Sequence, residues 1–405
     1  MKEGRPSDPH HPGQDGARAS HAKREGRATV PLLYVATALY WASMYVYVPI
    51  LPVHAENLGA SMGLVGTIVG AYGFSQLVFR IPLGVWSDQL GMRKPFILAG
   101  LATASLGALG LGFSSDPIWL VVWRGMSGVG AAAWVAFTVL FSSYFAPHKV
   151  TRAMSYLTCV SFGSQTVSTY AGGVIAETWG WHAPFHVAMA LGALGTLVAL
   201  PISEKRLPAR RRMTLGQIYQ TGTVPLLVTV SLVAMLGQWT HWATSGGFSL
   251  VYAGRLGATR ADLGILTMVM SLSVTVATLL SAFLVERLGP KTVGMVGLSM
   301  QAVGAFGVPL MDTVPLVCLT QALNGAGRGL SYPAMMGLSI RAVPESERAT
   351  AMGVFQAVYA LGMFAGPAST GIIGDGFGLG AVFAVAGIAA LLGVALVAAR
   401  VPGRG

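Results

Sequence analysis

Gly84-Val85-Trp86-Ser87-Asp88-Gln89-Leu90-Gly91-Met92-Arg93-Lys94-Pro95 is a short charged turn set between two long apolar segments. A related turn, Ala282-Phe283-Leu284-Val285-Glu286-Arg287-Leu288-Gly289-Pro290-Lys291, follows 198 residues later. Ala replaces the first Gly and Glu replaces Asp, while the second Gly and the last cation keep their places. The same offset carries Val53-His54-Ala55-Glu56-Asn57-Leu58-Gly59 onto Val251-Tyr252-Ala253-Gly254-Arg255-Leu256-Gly257, and Ala153-Met154 onto Ala351-Met352. Gly173, Glu177, Gly180 and Phe185 fall in the same way on Gly371, Asp375, Gly378 and Phe383. One offset holding over so much of the chain makes the two halves parallel copies of one unit.

Each copy is apolar. Of the 405 residues 53% are hydrophobic and only 10% charged, which argues against a set of soluble domains. Twelve apolar runs stand near residues 30–53, 62–83, 95–114, 117–143, 153–176, 183–201, 223–250, 261–284, 292–311, 314–340, 350–374 and 380–399. About 20 residues is the length a helix needs to cross a bilayer. The expected fold is therefore an all-α polytopic membrane protein of two six-helix bundles, at residues 29–201 and 223–400. Residues 1–28 are polar and read as a disordered tail, 202–222 as a basic linker, and 401–405 as a short tail.

The net charge of +11 is unevenly placed. With the N-terminus inside, all Lys and Arg fall on the inner side except Arg255 and Arg260 outside and Arg80, Arg124 and Arg328 in or beside the spans. That is the positive-inside bias, so both termini are expected in the cytoplasm and the basic surplus faces anionic lipid, not nucleic acid. The two cysteines, Cys159 and Cys318, lie inside spans and imply no extracellular disulfide framework. No metal cluster, nucleotide loop or nucleophile–base set is legible. The sequence thus predicts no cofactor and no catalytic residue.

The turn at Gly84, Asp88, Gly91, Arg93 and Lys94 resembles the loop between helices 2 and 3 of the major facilitator superfamily of transporters. Trp123-Arg124-Gly125-Met126-Ser127-Gly128 resembles that family's helix 4 motif. The resemblance implies two bundles around a central cavity lined mainly by helices 1, 4, 7 and 10, opening alternately to each side. It also implies a small-molecule substrate, a multi-pass plasma (inner) membrane location, and function as a monomer. Asp88 would latch the outward-facing state against helix 11, aided by Arg93. Gly84 and Gly91 would permit the close approach and the turn, and Glu286 and Lys291 are the second-half counterparts of Asp88 and Arg93. Gln89 and Met92 stand where the family often has cations. Helix 11 carries Gly353, Gly362, Gly366 and Pro367, a spacing resembling the antiporter motif that normally sits in helix 5. Helix 5 has Ser155, Ser164, Ser168 and Thr169 there, so export is only weakly indicated.

A buried arginine is costly in a membrane and stays charged, so Arg124 and Arg328 are expected to face a cavity or an acceptor. None of the 15 Asp and Glu falls in the middle of an apolar run. Two embedded arginines without an embedded acid predict a substrate with anionic character. Asn324, His241, Gln238 and Tyr45 are further candidates for binding it. Any coupled proton is expected on Glu56, Glu177, Asp375 or His241. Proton-linked efflux of cationic or neutral drugs is the alternative of the same class. An intramembrane enzyme or a non-transporting receptor is the alternative of another class.

Overall fold

The computed structural model describes residues 12–204, 215–341, 343–344 and 347–403. Twelve helical spans run α1 Pro12–Tyr45, α2 Met62–Leu90, α3 Lys94–Phe113, α4 Pro117–Ser142, α5 Pro147–Trp179 and α6 Ala183–Ala199 in the first bundle. In the second they run α7 Pro225–Arg255, α8 Arg260–Leu288, α9 Pro290–Leu310, α10 Val314–Arg341, α11 Arg348–Phe377 and α12 Leu379–Arg400. Eight of these are long and apolar enough on their own to cross a membrane. The others fall short because α6 is brief and α1, α5 and α10 carry more polar residues. Leucines 194, 197, 279, 280, 391 and 392 point outward on α6, α8 and α12, an apolar surface suited to lipid and not to water.

Three boundaries differ from the sequence reading. The backbone is helical from Pro12, so the tail expected to be disordered joins α1; Pro12 at the start and the Ala, Arg, Lys and Glu that follow favour a helix. The linker holds a helix at Leu215–Gly222, which packs on α11, whereas its basic run 205–214 lies outside the described residues. The charged turn is largely helix: α2 continues through Pro82 and Gly84 to Leu90. Gly91 then ends it at φ 62°, a left-handed cap that glycine adopts without strain. Pro95 opens α3 in its first turn.

The repeat also sets the breaks. After Tyr45 the helix unwinds through residues 46–50 and resumes as Leu51–Asn57. At the equivalent place α7 widens into a π turn, Thr244–Phe248, before Ser249–Arg255. The two terminal pieces pack on one another and cover the face of the molecule opposite the basic turns.

The bundles meet along two seams, α2 with α11 and α5 with α8. Glycine makes both. A Cβ placed on Gly66 would sit 2.0 Å from the Pro367 carbonyl oxygen, and one on Gly371 would sit 2.4 Å from that of Met62. On the second seam Gly173 and Gly264 press together, with Cβ positions 2.7 and 2.9 Å from each other's Cα. Gly264 is the repeat equivalent of Gly66, and Gly371 of Gly173. Helices gain no hydrophobic driving force from association in lipid, so such close backbone contact is what holds them. A Gly66→Leu substitution should force α2 from α11 at this face. In a background lacking Cys159 and Cys318, Ala60→Cys should then label faster with an impermeant maleimide; unchanged labelling would contradict the seam.

Candidate functional site

Between the bundles lies a cavity of about 50 Å³ lined by α1, α5, α7, α8 and α10. Tyr45, Gln165, His241, Trp242, Ser245 and Arg328 contribute its polar and aromatic groups. Arg328 Nε, His241 Nδ1, Trp242 Nε1 and Ser245 Oγ are buried without hydrogen-bond partners among the described residues. A smaller enclosed space inside the second bundle also touches Arg328, with Gln238, Gln301, Ser331 and Tyr332 around it. Gln238 is 4% exposed and its Oε1 has no partner among the described residues. Asn324 is packed between helices and donates to Thr244 Oγ1 of the π turn at 2.8 Å, which ties α10 to the break in α7.

Arg124 stands elsewhere. It is 3% exposed, donates from Nη1 to Tyr47 Oη at 2.9 Å, and lies over the Tyr72 ring at 4.4 Å. Tyr72 in turn packs on Trp242, with centroids 5.6 Å apart. Arg124 is therefore one ring behind the cavity wall, held inside the first bundle by aromatic faces. The resemblance placed helix 4 on the cavity; the wall here comes from α5 and α8 instead.

The remaining candidates divide between the two faces. On the basic face, Asp88 pairs with Arg93 within its own turn. Among the described residues it makes no hydrogen bond to α11. Gly84 has open space around its Cβ position, so the close approach expected of it is not made. Lys291 Nζ donates to the Ala398 carbonyl at 2.7 Å, fastening α9 to α12. Glu286 lies in the last turn of α8. Glu204, which no local pattern marked, accepts from the backbone N–H groups of Arg93 and Lys94 and caps α3.

On the opposite face the three acidic candidates each bond across from one half to the other. Glu56 pairs with Arg255 at 2.7 Å. Asp375 Oδ2 accepts from Ser61 Oγ and from the Gly63 N–H, both at 2.9 Å, at the start of α2. Glu177 Oε2 accepts from the Arg260 N–H at 2.9 Å at the start of α8. Each half thus caps the other's helix start with the repeat-equivalent carboxylate. Nearby, burial and the adjacent His182 push the His54 imidazole down to about 4.

Arg80 is the main residue that sequence reading passed over. It sits on α2 and bonds across the seam to Gln356 and Tyr359 of α11. The sequence places it in or beside a span, at the edge of the charged turn, but nothing local marks it as a site residue.

The family model described as Major Facilitator Superfamily matches residues 33–218 and 227–404. The chain belongs to the major facilitator superfamily. Over 84% of its length it is 25% identical to the multi-drug resistance efflux pump PmrA of Streptococcus pneumoniae, covering 88% of that protein. It is 36% identical to the inner membrane transport protein YajR of Escherichia coli over 41% of this chain, a stretch that spans 36% of YajR. Among solved structures, a mutant of the nucleoside transporter NupG superposes with TM-score 0.79 at 12% identity, over 92% of this chain and 100% of that one. A bacterial homologue of the lysosomal transporter Spinster, inward-facing and occupied, gives 0.75 at 15% identity, over 91% and 95%. At such identities these two structures speak for the fold. The chain is a multi-pass membrane transporter built of two six-helix bundles.

Two arginines in such different settings should respond differently. Arg124→Gln removes a hydrogen bond to Tyr47 and a cation–π contact with Tyr72, the latter worth about 0.5–2 kcal/mol, and should lower the Tm in detergent. Arg328→Gln removes a charge without a hydrogen-bond partner for its Nε among the described residues and should leave the Tm unchanged or raise it. Equal losses in both variants would contradict this division.

Proposed function

We propose that this transporter exports a small organic anion by alternating access across the plasma membrane, with its basic face in the cytoplasm. The observation that carries this reading is Arg328, on the cavity wall with Nε unpartnered, in spans where no Asp or Glu is buried among the described residues. A fixed guanidinium there favours an anion, and an effect of about 1.4 kcal/mol changes affinity about tenfold. Uptake and efflux in proteoliposomes, comparing carboxylates with amines of matched size, test it. Carboxylates should be moved at least about tenfold better; preference for amines would overturn it. The names of PmrA and of the multidrug resistance protein Stp of Mycobacterium tuberculosis favour a second reading, efflux of cationic or neutral drugs, and the same comparison decides between them.

The structure is closed on the face of Glu56, Glu177 and Asp375, and Asp88 makes no hydrogen bond to α11 among the described residues, so it corresponds in this reading to the inward-facing state. Opening to the outside then requires the two reciprocal caps to release. A charge at a helix start contributes typically about 0.3–1 kcal/mol and up to about 2 when partly buried. The carboxylates of this gate are also the natural carriers of a coupled proton, because protonation weakens the cap that must open. The double variant Glu177→Gln, Asp375→Asn should therefore lose gradient-driven transport while keeping counterflow exchange. Gradient-driven transport at the wild-type rate would place the coupling elsewhere.

A further inference from the structure

Arg80 belongs to the first bundle but is satisfied largely by the second. Nη1 donates to Tyr359 Oη at 2.8 Å and to Gln356 Oε1 at 3.3 Å, both on α11. Nη2 donates to Gln76 Oε1 on α2, and Nε is buried without a partner among the described residues. All three acceptors are neutral, and among the described residues no carboxylate bonds to this guanidinium. A cation within a span is usually matched by an anion or faces a water-filled path. The Tyr359 ring packs edge-on against Tyr332, centroids 5.5 Å apart, and Tyr332 shares the enclosed space beside Arg328. One guanidinium from each bundle therefore flanks the same pair of tyrosines.

The geometry points to Arg80 as a second anion contact on the transport route, for a monocarboxylate with a planar aromatic body. This rests on the anionic reading above and adds a linkage to it. The carboxylate takes the Nη donors now given to Tyr359 and Gln356, so ligand arrival and the cross-bundle hydrogen bonds compete for one guanidinium. Occupancy thereby loosens α2 from α11 at this level and favours rocking. The carboxylate is specified by the planar fork of arginine, which holds two oxygens at once. The aromatic body is specified by the walls: Tyr45, Phe162 and Trp242 around the cavity, and Tyr332, Phe355 and Tyr359 towards Arg80. Among the described residues Nε lacks a hydrogen-bond partner in Arg80, Arg124 and Arg328 alike, and of these Arg80 and Arg328 are the two that flank the tyrosine pair and can pass a single negative charge between them.

Binding of 1-naphthoate, neutral 1-naphthamide and cationic 1-naphthylmethylammonium to the full chain in nanodiscs tests the proposal. Wild type should prefer 1-naphthoate by about tenfold or more, and Arg328→Gln and Arg80→Gln should each weaken it about tenfold. Arg80→Lys should restore part of the loss. Tyr359→Phe should tighten 1-naphthoate several-fold, because it removes a competing acceptor and keeps the ring; a purely structural Arg80 would leave affinity unchanged or weaken it. Preference of wild type for the ammonium probe would overturn the anionic reading itself. If wild type and Arg328→Gln behave as expected but Arg80→Gln binds as wild type, or Tyr359→Phe fails to tighten, the role of Arg80 alone is overturned. Should Arg80→Gln fail to fold, Tyr359→Phe decides.

Discussion

Backbone meets backbone where the two bundles touch, and the rest of the structure depends on that contact. Gly66 and Gly371 bring α2 onto α11, and Gly173 and Gly264 bring α5 onto α8. No larger side chain fits at these distances. In lipid, such packing and a few hydrogen bonds must hold helices together, because burying apolar surface gains little there. The contact is therefore firm without being strongly adhesive, which suits two bodies that rock on one another. The same seam positions the polar groups: Asp375 reaches the start of α2, Glu177 the start of α8, and Arg80 the middle of α11.

The electrostatics follow from what the spans omit. Arg80, Arg124 and Arg328 lie at membrane depth, and each solves the burial of its charge differently. Arg124 is enclosed by aromatic faces and a phenol. Arg80 is shared among neutral oxygens of both bundles. Arg328 borders open space and has no hydrogen bond to a described residue for its Nε. Nε lacks a partner among the described residues in all three, so what sets Arg328 apart is its place on the cavity wall.

Much of the fold was legible because the repeat is written into the chain twice. The offset between Asp88 and Glu286, or between Glu177 and Asp375, predicts two bundles before any helix is drawn. The breaks in α1 and α7 were hidden by unbroken apolar runs, although Pro49 and Pro52 in one and Gly246-Gly247 in the other are local signals of an interrupted helix. The site was less legible. Composition marks Arg124 and Arg328 equally, and only packing shows that Tyr72 stands between Arg124 and the cavity. Arg80 and Glu204 act through partners 276 and 111 residues away, a separation no local pattern encodes.

Alternating access on these seams is the central claim, and distances at the two faces test it directly. Spin labels at Asn57 and Ala258 report on the face closed here, and labels at Ser143 and Arg341 report on the basic face. Pulsed electron resonance across a series of pH values and added organic anions should show one distance lengthening as the other shortens. Distances that change together, or a basic face that stays fixed while the opposite face opens, would contradict rocking about the glycine seams.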